Sequence, residues 1–152
     1  MIRLAPLSLI AALSAAPAFA APEAYVLDPS HSQIVFSYNH LGFSTSYGMF
    51  SGFEGKISFD AEAPAASSVE VAFPVKTMLT GWQERFDHFM TPDFFGANAD
   101  SNVTFKSTAI EVTGEKTAKI TGDLTLNGVT KPVVLDAEMT QAMEHPMQKK
   151  PW

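Results

Sequence analysis

Polar and apolar residues alternate with a period of two over most of the chain beyond residue 30, the mark of strands with one buried face. From Ser32 to His40, Ile34, Phe36 and Tyr38 share a face and His40 falls in phase with them, while Gln33, Val35, Ser37 and Asn39 take the other. A second strand is predicted from about Gly48 to Asp60, with Phe53, Gly55, Ile57 and Phe59 in phase and Gly48, Gly52 and Gly55 as places where a sheet can bend or bulge. Val69, Val71, Phe73 and Val75 make a third strand after a turn-like stretch at 63–68. Val103, Phe105 and Ser107 begin a fourth, and Ile110 and Val112 are out of phase with them, which predicts a bulge between. Ala118, Ile120, Gly122, Leu124 and Leu126 define a fifth strand, and Val133, Leu135, Ala137 and Met139 a sixth. Asn127-Gly128 between these two is the residue pair that a type I′ hairpin turn asks for. One segment breaks the alternation. Thr80 and Gln83 have capping-box spacing, Trp82, Phe86 and Met90 recur every four residues, and Pro92 stops the pattern, so a short helix is predicted over about 81–89.

The first twenty residues read differently. Arg3 is followed by an apolar run from Leu4 to Leu13 and by Ala18-Phe19-Ala20, the pattern of a secretory signal peptide cleaved after Ala20. Arg3 is the only charge in it, so the remaining 132 residues carry 9 basic and 16 acidic side chains, a balance of −7. They form one expected domain, 21–152, large enough for a full core or a core with a ligand inside. The acidic balance argues against nucleic acid as a partner. No other apolar stretch approaches the roughly 20 residues of a membrane span, which leaves a soluble, exported protein as the expectation. The chain contains no cysteine, which removes disulfides and cysteine-ligated zinc from consideration.

Candidate chemistry is sparse. Asp28, His31 and Ser32 supply the parts of a nucleophilic triad, but three residues within five positions of an extended segment point in different directions. The plainer reading is a strand-entry turn set by Asp28-Pro29-Ser30, with His31 hydrogen-bonded locally. His31, His40, His88 and His145 show no paired metal-ligand spacing, and Glu84 and His88, one helical turn apart, have the spacing of a helix-surface pair. No catalytic constellation and no metal or other cofactor is expected, and the protein is not read as an enzyme. The chemical excess lies in aromatic and thioether side chains, which either fill a core or line a hollow barrel.

The order of motifs resembles the YceI-like, polyisoprenoid-binding family. The matching residues are Asp28-x-x-His31-Ser32, Phe36, His40-Leu41-Gly42-Phe43, Gly48-x-Phe50, Gly55, Ile57 and Phe59-Asp60 in the first half. Thr80-Gly81, the stretch from Glu84 to His88, Pro92-Asp93-Phe94-Phe95, Phe105-Lys106-Ser107-Thr108 and the run from Gly122 to Val133 continue the match. The resemblance implies an all-β, lipocalin-like antiparallel barrel of eight strands, about six of them visible here, with a short helix near the barrel end. It implies a periplasmic carrier of a long apolar lipid: a polyisoprenoid, an isoprenoid quinone or a fatty-acid derivative. Family domains continue into further strands beyond the His145-Pro146-Met147 region, so the expectation is a domain shortened at its C-terminus.

In that reading Phe36, Tyr38, Phe43, Phe50, Phe59, Phe73, Met78, Trp82, Phe86, Met90, Phe94, Phe95, Phe105, Leu124 and Leu126 line the lipid site. The helix and the Phe94-Phe95 loop cover one end. His31, His40, Arg85 and His88 are candidates for a polar head group, with structural hydrogen bonds the preferred role for the first two. The expected partner is a small-molecule lipid, with transient membrane contact and a homodimer left open. The rival expectation is a ligand-free stress-response or interaction protein with a solid aromatic core.

Overall fold

A computed structural model of the chain describes residues 21–147 and Lys149. The expected signal peptide lies outside the described residues. Eight strands follow in order: β1 (Glu23–Val26), β2 (Ile34–His40), β3 (Ser44–Phe50), β4 (Glu54–Phe59), β5 (Ser68–Pro74), β6 (Asn102–Val112), β7 (Thr117–Leu126) and β8 (Val129–Glu138). One α-helix, α1 (Gln83–Phe89), sits between β5 and β6. The strands form a six-stranded antiparallel sheet in the order β1-β4-β5-β6-β7-β8 and a separate hairpin, β2-β3. Met49 and Leu79 exchange backbone hydrogen bonds of 3.0 and 2.8 Å, which tie the hairpin to the segment before α1.

The expected strand over 48–60 is two strands. Its break at 51–53 contains Gly52, at φ +68°, and is clamped by the Thr77 hydroxyl, which donates to the Ser51 carbonyl at 2.7 Å. The break reverses the parity of the alternation, so Phe50 on β3 and Phe53 just before β4 are both buried. With β1 as well, the strand count is eight rather than six. The six-stranded sheet is nevertheless not closed, for β1 and β8 form its two edges among the described residues.

The bulge expected in β6 lies between Ser107 and Ala109. It turns Phe105 and Ser107 on one side of it, and Ile110 and Val112 on the other, to the same face. That inward face consists of cross-strand rows: Val71, Phe105 and Leu124; Ile57 and Val69; Ile110, Ile120 and Leu135; Val112, Ala118 and Ala137. The opposite face carries Lys56, Glu70, Lys106 and Asp123 as successive cross-strand partners. Lys106 Nζ lies 2.6 Å from Glu70 Oε1, and their contact holds the Glu70 carboxyl below its usual range and raises the Lys106 ammonium. Both side chains are largely exposed, so the pair orients the sheet more than it stabilises it.

The core gathers at one end of the inward face. Phe50, Phe53, Phe73, Val75, Met78 and Val103 are buried together, with Phe73 at the centre, its ring centroid 5.1 Å from that of Phe50 and 4.6 Å from that of Phe53.

The helix starts without the expected capping box. Trp82 is the N-cap and no side chain caps it, because the Thr80 hydroxyl, buried beneath the turn, donates to the Trp82 carbonyl at 2.7 Å. Gln83 instead reaches along the helix to Asp87 Oδ1 at 2.8 Å.

Candidate functional site

α1 and the loop after it lie over the inner side of the hairpin and the buried core. Phe86, Phe89, Met90 and Phe95 pack against the core. Phe89 meets Tyr38 of β2 edge-on at 6.1 Å and Phe94 at 4.8 Å. The Asn127-Gly128 turn holds this cover from below. Both residues have positive φ, 51° and 74°, as a type I′ turn requires. Asn127 Nδ2 donates to the Phe94 carbonyl at 2.8 Å, and its Oδ1 accepts from Asn98 Nδ2 at 3.0 Å. Asn127→Ala removes both bonds and the side chain that best tolerates left-handed backbone, and we expect it to cost about 1–2 kcal/mol in urea unfolding. Faster amide exchange at Phe95 and Gly96 should accompany that loss, since their N–H groups are held within the same loop.

A cavity of about 360 Å³ opens beside the helix between Met78, Leu79, Trp82 and Phe86. A wider depression of about 730 Å³ crosses β1, β4, β5 and β6 and includes Leu27, Lys56, Val71 and Phe105 in its walls.

The lining residues named from sequence fall into three groups. Phe50, Phe73, Met78 and Phe105 are buried, and all but Phe105 belong to the solid part of the core. Phe36, Tyr38, Phe59, Phe86, Met90, Phe95 and Leu124 are half-buried. Trp82, Phe94 and Leu126 are largely exposed, at 58%, 44% and 41%. Phe43 stands apart. It is 89% exposed at the β2–β3 turn, where its N–H bonds the His40 carbonyl, because the hairpin reverses there before the alternation of β3 begins.

The head-group candidates do not converge. His31 Nδ1 lies 2.7 Å from Asp28 Oδ2, in the local turn expected from sequence, and the Ser30 N–H and hydroxyl both bond Asp28 Oδ1. The Ser30 hydroxyl, then His31 and the Ser30 amide, pull the Asp28 carboxyl down to about 2. The Ser32 hydroxyl donates to the Asp28 backbone carbonyl at 2.6 Å. His40 ends β2 at the hairpin turn. Arg85 donates to the Thr80 carbonyl at 3.1 Å and lies 5.9 Å from the Trp82 ring. His88 sits 3.6 Å from Asp93 and edge-on to Phe94.

The lining set expected from sequence omits two groups. Phe53, Val75 and Val103 are buried core, in phase with their strands as alternation predicts but not among the lining residues. The other is Lys131. Its phase with Val129, Val133 and Leu135 is readable in the sequence and places it on the inward face, opposite Leu124.

An antiparallel six-stranded sheet with an aromatic core at one end, a helix as its cover and a separate β2-β3 hairpin sharing that core defines the architectural class. Residues 25–149 match the YceI-like domain, and the chain belongs to that family. It is 46% identical over 135 residues to a UPF0312 protein of Ectopseudomonas mendocina, an alignment covering 89% of this chain and 71% of that one. A UPF0312 protein of Pseudomonas savastanoi is 44% identical over 129 residues, 84% of this chain and 66% of the relative. The chain thus spans about two thirds of the length of these relatives. Among solved structures, the Campylobacter jejuni YCEI protein superposes with a TM-score of 0.64 at 31% identity, over 84% of this chain and 74% of that one. Burkholderia cenocepacia BcnA gives 0.66 at 24% identity, over 74% and 70%, a likeness of fold.

Proposed function

We propose that the chain is a periplasmic binding protein that holds the tail of a long apolar lipid, a polyisoprenoid, an isoprenoid quinone or a fatty-acid derivative, against the inward face of its sheet, and that it carries the lipid without transforming it. The observation that supports this most is the extent of the inward face. Its apolar rows continue beyond the buried core through Ile110, Ile120 and Leu135 to Val112, Ala118 and Ala137. Leu135 and Val112 remain 44% and 49% exposed there. Each methylene moved from water onto such a surface gains roughly 0.8 kcal/mol when fully buried, so a prenyl tail has a strong reason to cover it. The expected export of residues 21–152 fits a compartment in which a quinone cannot travel unaided.

Two measurements test the proposal. Mass spectrometry of an organic extract from the purified protein should find a prenyl lipid near one per chain. Added prenyl quinone should quench Trp82 emission in a Trp152→Phe background, because Trp82 borders the cavity beside α1. A folded protein that co-purifies with no lipid and shows no quenching would support the ligand-free, solid-core alternative instead.

A further inference from the structure

The strands of the sheet carry four lysines, and three of them face outward. Lys56 lies opposite Glu70, Lys106 bonds Glu70 at 2.6 Å and Lys119 bonds Asp136 at 2.8 Å. Lys131 is the fourth and faces inward. Its cross-strand partner is Leu124, which continues the row through Phe105 and Val71. The inward rows on either side end at Val129 and Val133 of the same strand. Among the described residues no carboxylate pairs with the Lys131 ammonium and no hydrogen bond engages it.

We propose that Lys131 is the head-group residue of the site and that it selects a single-chain amphiphile with an anionic oxygen head, a carboxylate or a phosphate monoester. This rests on the lipid-binding reading above and narrows its ligand class. A lysine rising from an apolar face lays its four-carbon stem along that face and extends its ammonium to the rim. A tail lying on the rows of Ile110, Ile120 and Leu135 brings its head toward β8, and Lys131 is the cation of the inward face that can meet it there. The other inward acid or base on the sheet is Glu23, at the far edge on β1 opposite Phe59, five strands away from β8. The contact forms partly out of water, where a charge-assisted hydrogen bond is stronger than on an open surface. Of the residues named from sequence for this role, His31 is engaged by Asp28, Arg85 by Thr80 and His88 by Asp93, while His40 ends β2 at the hairpin turn and not on the six-stranded sheet.

Matched pairs of ligands separate the head from the tail. In the full chain at pH 8 and low salt, cis-parinaric acid should bind roughly tenfold or more tightly than its methyl ester, the factor expected of one charge-assisted bond. Lys131→Met should bring the two together, and Lys131→Arg should keep the preference. Dodecyl phosphate should displace the bound probe better than dodecanol if phosphate heads are accepted, while displacement by the free carboxylate alone assigns the site to fatty acids. Equal binding of acid and ester by the unaltered protein, or a preference that survives in Lys131→Met, overturns the inference and leaves the lipid-binding reading standing. Failure of both acid and ester to bind overturns the inference, and it overturns the lipid-binding reading as well when the organic extract also holds no lipid.

Discussion

Replacing Gly122 with valine is expected to lower the stability of the domain by about 3 kcal/mol, the upper part of the range for overpacking a filled interior. Gly122 is buried on the inward face of β7, where the Phe105 ring lies over it. A Cβ at this position would run into that ring and would also stand 2.5 Å from the Lys106 carbonyl oxygen. A side chain can move aside, but that oxygen belongs to the ladder between β6 and β7. The second substitution Phe105→Leu should therefore recover only part of the loss. Gly48 provides the contrast, since the three atoms that a Cβ there would meet first all belong to the Phe36 ring, so Gly48→Ala should be largely rescued by Phe36→Leu. Urea unfolding followed by circular dichroism checks each step, and a loss below about 1 kcal/mol for Gly122→Val contradicts the account.

Phe73→Ala should cost a further large amount, about 3–5 kcal/mol, as truncation of a buried phenylalanine does when its surroundings cannot collapse. Phe73 is 7% exposed and sits between Phe50 of the hairpin and Phe53 at the start of the main sheet. It is thus the side chain through which the two sheets share one core. The hairpin is joined to the rest by few backbone bonds, those of Met49 and Leu79 among them, so losing the ring should loosen the hairpin before the six-stranded sheet. Amide exchange should show protection falling first across residues 34–50 and last across β6 and β7. Uniform loss of protection across both sheets would mean that the two unfold as a single unit.

Where structure depends on neighbours in the chain, the pattern of residues was sufficient. The β6–β7–β8 meander, the bulge after Ser107 and the Asn127-Gly128 turn are local events, written in a shift of parity and in two residues that accept positive φ. Thr80 and Gln83 matched a capping motif that the protein does not use, because the hydroxyl is buried and bonded to the Trp82 carbonyl. β1 is four residues long, and its pairing with β4 rather than any strong alternation makes it a strand. Of the site, the aromatic wall was legible only as a set. Which of its members fill the core, which cover it and which, like Phe43, stand in solvent depends on contacts between distant segments.

The sequence by itself determined that this is an antiparallel β protein of the YceI-like family with one short helix and a polar outer face, since period-two alternation commits each strand to two unlike surfaces. Only the tertiary structure decided that the strand predicted over 48–60 divides between two sheets, that the phenylalanines around Phe73 are packed solid, and that the inward rows beyond them stay open. It also decided that Lys131, whose inward phase the alternation already gives, has no carboxylate beside it among the described residues. The reason is physical. Alternation specifies which side chains share a face, whereas what lies across from that face is set by long-range packing, which no local pattern encodes.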